Sequence, residues 1–216
     1  MAFVNFGKKT ISFKLVYYGP ARGGKTTNLE KIHLCIDPAS RGDLTVLSTQ
    51  QDRTLFFDFL PLESRVVKGF ISKFQLYTVP GQVIYNQTRK LVLQGVDGVV
   101  FVVDSQWSKM EENAESFQNL ESNLREQGTT LDALPFILQF NKRDLPDVAP
   151  VHYLDFLLNR RATRVPVMQA VASQGQGVFQ SLNLIARMAL AAFMRKHNLE
   201  GSRVPESLCV DAGKGA

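Results

Sequence analysis

Val16-Tyr17-Tyr18-Gly19-Pro20-Ala21-Arg22-Gly23-Gly24-Lys25-Thr26-Thr27-Asn28-Leu29 joins the end of one apolar run to the start of another. Upstream, Ile11–Tyr18 is β-branched and aromatic and reads as a strand. Gly19-Pro20 breaks it. Downstream, Leu29, Ile32 and Leu34 recur at broadly helical spacing. The junction Gly19–Thr26 matches G-x-x-x-x-G-K-[ST] in full. In that pattern a glycine-rich loop turns successive backbone N–H groups inward around a polyphosphate. The following helix presents its N-terminus to the same anion. Lys25 is expected to reach the terminal phosphates and the Thr26 hydroxyl to ligate Mg2+. Gly19, Ala21, Arg22, Gly23, Gly24, Lys25, Thr26 and Thr27 are therefore the candidate phosphate contacts.

The rest of the chain repeats the strand-then-helix alternation. Leu44–Ser48 and Phe70–Val79 read as strands, and Gly98–Val103 is continuously apolar, as in a strand buried on both faces. Phe136–Phe140 and Val167–Ala172 look similar, which makes six strands. Ser108-Lys-Met-Glu111 fits a capping box, and Met110, Ala114, Phe117, Leu120 and Leu124 follow at helical spacing up to Gly128. Pro150 opens another helix, and a longer one runs from about Val178 to His197. Such alternation implies a doubly wound, mostly parallel six-stranded α/β sheet flanked by helices, over one domain at residues 1–197. Residues 198–216 read as a flexible tail. Ligands of such sheets bind at the strand carboxyl ends, where each motif falls.

Asn141-Lys142-Arg143-Asp144 follows the Phe136–Phe140 strand. A carboxylate there accepts two hydrogen bonds from the N1–H and exocyclic amine of guanine. Adenine offers no such pair, and leaving a buried carboxylate unpaired costs several kcal/mol. Alone N-K-x-D is a weak signal; in order after a phosphate loop it is strong, and it argues against an ATPase or kinase. The composition is that of an ordinary globular chain of 216 residues with net charge +5. No recognition motif accompanies that charge, so no nucleic-acid partner is expected. Cys35 and Cys209 lie far apart and suggest free thiols in a cytoplasmic protein. With no signal peptide, membrane span, myristoylation glycine or prenylation box, no direct membrane anchor is expected.

On these motifs the sequence resembles the Ras-like small GTPases, of the P-loop NTPase fold, and within them the bacterial MglA-type polarity GTPases. The carriers are Val16–Pro20, Gly24–Leu29, Asp52–Pro61, Leu76–Val83, Gly95–Val99 and Asn141–Pro146. The resemblance implies a cytoplasmic switch cycling between GTP and GDP with Mg2+. It implies that Thr54 senses the γ-phosphate and the metal, that the Gly81 N–H contacts that phosphate, and that Gln82 orients the attacking water. Arg53 is implied as an arginine finger supplied in cis, and Ala172 as the residue whose N–H meets the guanine oxygen. A Roadblock-type (MglB-like) activator dimer and effectors of polarity or motility are the implied partners, with recruitment to cell poles through them. The run Leu55–Leu60 reads equally as a buried strand and as an exposed partner-binding surface.

Two departures stand out. Thr78-Val-Pro-Gly81 lacks the switch-two aspartate of most Ras-like proteins, so either Mg2+ affinity is lower or another carboxylate, Asp58 or Asp104, substitutes. Ala21 stands where MglA-type loops usually carry glycine. Its added Cβ crowds the γ-phosphate and the water, so GTP hydrolysis is expected to be slow unless activated. The rival reading is a GTP-loaded binding scaffold with little turnover.

Overall fold

The apolar run that enters the glycine loop becomes the centre of the sheet. The computed structural model describes residues 2–47, 57–67, 69–160 and 163–198. Its strands are β1 (Phe3–Asn5), β2 (Thr10–Tyr18), β3 (Thr45–Leu47), β4 (Phe57–Val67), β5 (Phe70–Thr78), β6 (Gly98–Asp104), β7 (Phe136–Asn141) and β8 (Val167–Gln169). They lie in the order β3-β4-β5-β2-β6-β7-β8, with β1 beside the start of β2. The block from β5 to β8 is parallel; β4 runs antiparallel to both β3 and β5. From β2 the chain order departs to β5 on one side and β6 on the other, so the carboxyl end of β2 is a topological switch point.

The pleat of β2 sorts its side chains into two cores. Ile11, Phe13, Leu15 and Tyr17 face the layer built by α1 (Lys25–Cys35) and α5 (Val178–Lys196). Val16 and Tyr18 face the layer of α2 (Asn86–Leu93), α3 (Met110–Glu126) and α4 (Val151–Leu158). Every residue of β6 and β7 is buried, as continuous apolar runs between two helix layers require. No helix among the described residues is long and apolar enough to cross a membrane.

Two strands join the six expected from sequence: the short β1 and the long β4. β4 settles Phe57–Leu60 as strand, with Leu60 and Leu62 buried; Leu55 and Phe56 lie outside the described residues. The helix α2 was not read from the sequence: it has only eight residues, about two turns, and its first five are polar. The Ser108 capping box is absent. A 3-10 turn at Trp107–Lys109 leads straight into α3, whose cap is Lys109 with no side-chain cap bond. Lys109 instead pairs with Glu112 at 2.5 Å. β8 stops at Gln169, short of the expected Ala172, since the backbone turns there into a 3-10 segment, Ala172–Gln174. Of the expected tail at residues 198–216, all but Asn198 lies outside the described residues.

Candidate functional site

Between β2 and α1 the loop Gly19–Gly24 forms one wall of a cleft. Gly24 sits at φ 101°, and a Cβ there would run into the Asn141 side-chain nitrogen. Glycine is needed because the base-side loop comes this close to the phosphate-side loop. α1 begins with no side-chain cap and no acidic residue in its first turn. Its N-terminal N–H groups are therefore left for an anion. The Lys25 ammonium, nearly buried, donates to Gly19 O at 3.1 Å and Pro20 O at 2.6 Å. Those two carbonyls fix its position under the loop, facing a cavity of about 640 Å³.

Ala21, Arg22, Lys25 and Thr26 line that cavity from the loop side; Thr78, Gly81 and Gln82 line it from the other. Gly81 packs so tightly on Ala21 that an ideal Cβ on Gly81 would lie 2.8 Å from the Ala21 nitrogen and 3.0 Å from its Cβ. The Thr26 side chain is exposed to the cavity, so its hydroxyl is free to meet a metal ion; Thr54 and Arg53 lie outside the described residues. Among the described residues no group of three or more His, Cys, Asp or Glu side chains is placed to hold a metal. A Mg2+ ion here fits only the mode in which a hydroxyl, substrate phosphates and water supply the oxygens.

A second cavity of about 270 Å³ continues the first, sharing Arg22, Gly24 and Thr27, and reaches Asn141, Lys142, Asp144 and Ala172. Asn141 ties its floor together: Nδ2 donates to Gly23 O, and Oδ1 accepts from the Ala172 N–H, both at 2.9 Å. The Ala172 amide is thus already engaged, and a guanine oxygen would have to share it. Asp144 is exposed in the cleft mouth. Lys142, at φ 64°, pairs with Asp104 at 2.6 Å. Asp104 is fully buried, and its other oxygen accepts from the Gln106 N–H at 3.2 Å. That removes Asp104 as a substitute metal ligand: its carboxylate is committed to the base-side loop. The side chain of Asp58 lies outside what is described.

Two polar groups here had no sequence signal. Asn28 and Gln139 exchange two amide hydrogen bonds of 2.9 Å, and Gln139 also donates to Ser181, locking α1 to β7 and α5. Arg89, on α2, is fully buried with its guanidinium 4.8 Å from the Tyr18 ring centre. Burial pulls its pKa down, while Tyr18 and Glu115 oppose the shift. Burial likewise raises the Tyr18 pKa against the pull of Arg89. Tyr18 is therefore the neutral partner of the pair.

The profile of the ADP-ribosylation factor family matches residues 2–189. The mutual gliding-motility protein MglA of Myxococcus xanthus (strain DK1622) is 51% identical over 190 residues, 88% of this chain and 96% of that protein. The chain belongs to the ADP-ribosylation factor family of Ras-like small GTPases, and it hydrolyses GTP.

Proposed function

We propose that this member of the ADP-ribosylation factor family is a Mg2+-dependent switch for bacterial motility and cell polarity, with hydrolysis that is slow until a partner assists it. One observation carries this reading. Gly81 rests directly on Ala21 across the mouth of the phosphate cavity, and Gln82 lines the same cavity beside it. A γ-phosphate has to be accommodated between those two walls, so its presence or absence is converted into the position of the Gly81–Gln82 segment. The motility assignment is supported by the name and 51% identity of the gliding-motility relative.

In this reading the Asn141–Asp144 loop holds the guanine and the Gly19–Thr26 loop holds the phosphates. Thr26, with Thr54, would hold Mg2+, which supplies charge neutralisation to the β- and γ-oxygens. Lys25 brings a second positive charge, and Gln82 orients the attacking water. Arg53 supplies a guanidinium to the transferring oxygens. The Ala21 Cβ stands against Gly81 in this arrangement and displaces the water or Gln82 from the best geometry. A Roadblock-type dimer that presses Gln82 and Arg53 inward restores it, and effectors read the GTP-bound surface at the cell pole.

The test is single-turnover GTP hydrolysis with and without such a dimer. Stimulation by the dimer, lost in Gln82→Ala, is the expected outcome. Basal turnover that neither the dimer nor Ala21→Gly accelerates would overturn the slow-until-assisted part of the proposal.

A further inference from the structure

Arg89 is a fully buried cation whose hydrogen bonds go to uncharged oxygens on four separate segments. Nε donates to Pro80 O at 2.8 Å. One terminal nitrogen donates to Gly81 O at 2.8 Å and to Gly19 O at 3.3 Å, and at 3.4 Å to Ser116 Oγ. The other donates to Asn119 Oδ1 at 2.7 Å, with the Tyr18 hydroxyl at 3.5 Å. A guanidinium taken out of water at this cost needs several well-placed dipoles. Those dipoles belong to the phosphate loop, the Pro80–Gly81 turn, β2 and α3.

The two turn carbonyls matter because of peptide geometry. Each peptide is planar and trans, so its N–H points opposite to its C=O. Pro80 O shares a peptide with the Gly81 nitrogen, and Gly81 O shares one with the Gln82 nitrogen. By drawing both carbonyls inward, Arg89 turns the Gly81 and Gln82 N–H groups outward, on the side where both residues line the phosphate cavity. The nitrogen that holds Gly81 O also holds Gly19 O, so one atom sets the spacing between the two walls. Three nitrogens in a rigid fork can serve these acceptors together; a lysine ammonium on a flexible stem cannot hold the same angles.

We propose that Arg89 is the positioning residue of the hydrolytic site: it aims the Gly81 amide and the Gln82 backbone at the γ-phosphate and its water. It acts through Gly81 and Gln82 and touches neither nucleotide nor water. Its partners are backed in turn by α3. Asn119 and Asn123 both donate to Asn86 Oδ1, at 2.9 and 2.8 Å, seating the first residue of α2 on α3. Asn123 touches Tyr18, Asn119 and Asn86 but not Arg89.

Arg89→Lys and Asn123→Ala test this against a purely structural role, with GDP affinity, melting temperature and single-turnover GTP hydrolysis measured for each. Arg89→Lys should lose about 30-fold or more in the hydrolysis rate with GDP affinity within about threefold of the parent. Asn123→Ala should lower the melting temperature and leave the rate within about twofold. Equal losses of affinity and rate in Arg89→Lys, no loss of rate, or the same loss of rate in Asn123→Ala, would overturn the proposal. A measurement on the unmodified protein covers the case in which Arg89→Lys does not fold. The Arg89 Nε–H resonance should shift between the GDP form and the form holding a non-hydrolysable GTP analogue, and an unmoved resonance would overturn the proposal. The proposal rests on GTP hydrolysis by the parent chain. A parent with no turnover at all would remove that premise, whereas an active parent with an equally active Arg89→Lys would remove only the role of Arg89.

Discussion

Gly81→Ala puts the wall-to-wall contact at the phosphate cavity to direct use. The backbone of Gly81 lies outside the left-handed region, so alanine meets no conformational penalty there and the block is steric. The new Cβ would lie 2.8 Å from the Ala21 nitrogen and 3.0 Å from the Ala21 Cβ, and closer still to the Ala21 Cα, where ordinary contact begins at 3.4 Å. Two of those three atoms are backbone, so no rotamer change relieves them. The loop and the Pro80–Gln82 turn must separate by about 1 Å, a displacement that typically lowers a phosphoryl-transfer rate by about 100-fold. Lys25 and the Asn141 floor are untouched, so GDP should bind within about threefold of the parent. Stopped-flow titration with a fluorescent GDP and single-turnover hydrolysis of loaded GTP measure the two quantities separately. Ala21→Gly added to Gly81→Ala removes only the 3.0 Å neighbour, so the double variant should stay slow. Turnover of Gly81→Ala within about threefold of the parent would refute the argument, and so would recovery in the double variant.

Asn141→Ala should weaken GTP and GDP alike by about 2 kcal/mol, or roughly 30-fold, since two hydrogen bonds that assemble the base-side floor are lost; equilibrium titration checks it. Asp104→Asn removes the buried partner of Lys142 and should raise the dissociation rate of both nucleotides by about tenfold while leaving hydrolysis of bound GTP unchanged, as followed by displacement of a fluorescent nucleotide. Arg22 occupies φ 56°, a conformation costing a non-glycine residue about 1–2 kcal/mol. Arg22→Gly should therefore raise the melting temperature of the nucleotide-free protein by a few degrees in calorimetry, and lower GTP affinity through the lost positive charge at the cavity rim.

The site was legible wherever a function demands particular residue types at fixed spacing. Gly19–Thr26 and Asn141–Asp144 were read correctly as two loops at strand ends, and the alternation of strands and helices placed those ends together. What escaped was polar structure with no spacing rule. Arg89 in Gln87-Thr-Arg-Lys90 looks like a solvated helix charge; only the fold brings four sets of oxygens around it. The Asn28–Gln139 amide pair joins residues 111 positions apart, and neither sequence context marks it as buried. Asp104 was one of two unranked carboxylates, with Asp58, that the missing switch-two aspartate left as candidates toward the metal. It points instead to Lys142, a choice between two neighbouring cations that β6 and β7 settle by register, with Asp104 opposite Asn141.

The cleft therefore divides into halves held by different means. The base half is braced within the rigid frame: Asn141 spans Gly23 and Ala172, Asp104 holds Lys142, and Asn28 with Gln139 and Ser181 pins the root of α1. GTP and GDP share the guanine that this half would hold, so it supplies affinity without discriminating the two. The phosphate half is closed by a turn whose carbonyls are held by a single side chain on α2, a helix with Ile84 just before it and Leu91 on it both exposed. A ligand that shifts Pro80–Gln82 by an ångström must therefore also shift Arg89, and with it the α2 surface seated on α3. Binding and signalling separate physically along this line: substitutions in the base half should scale both nucleotide affinities together, and those in the phosphate half should change the rate and the exposed surface while GDP still binds.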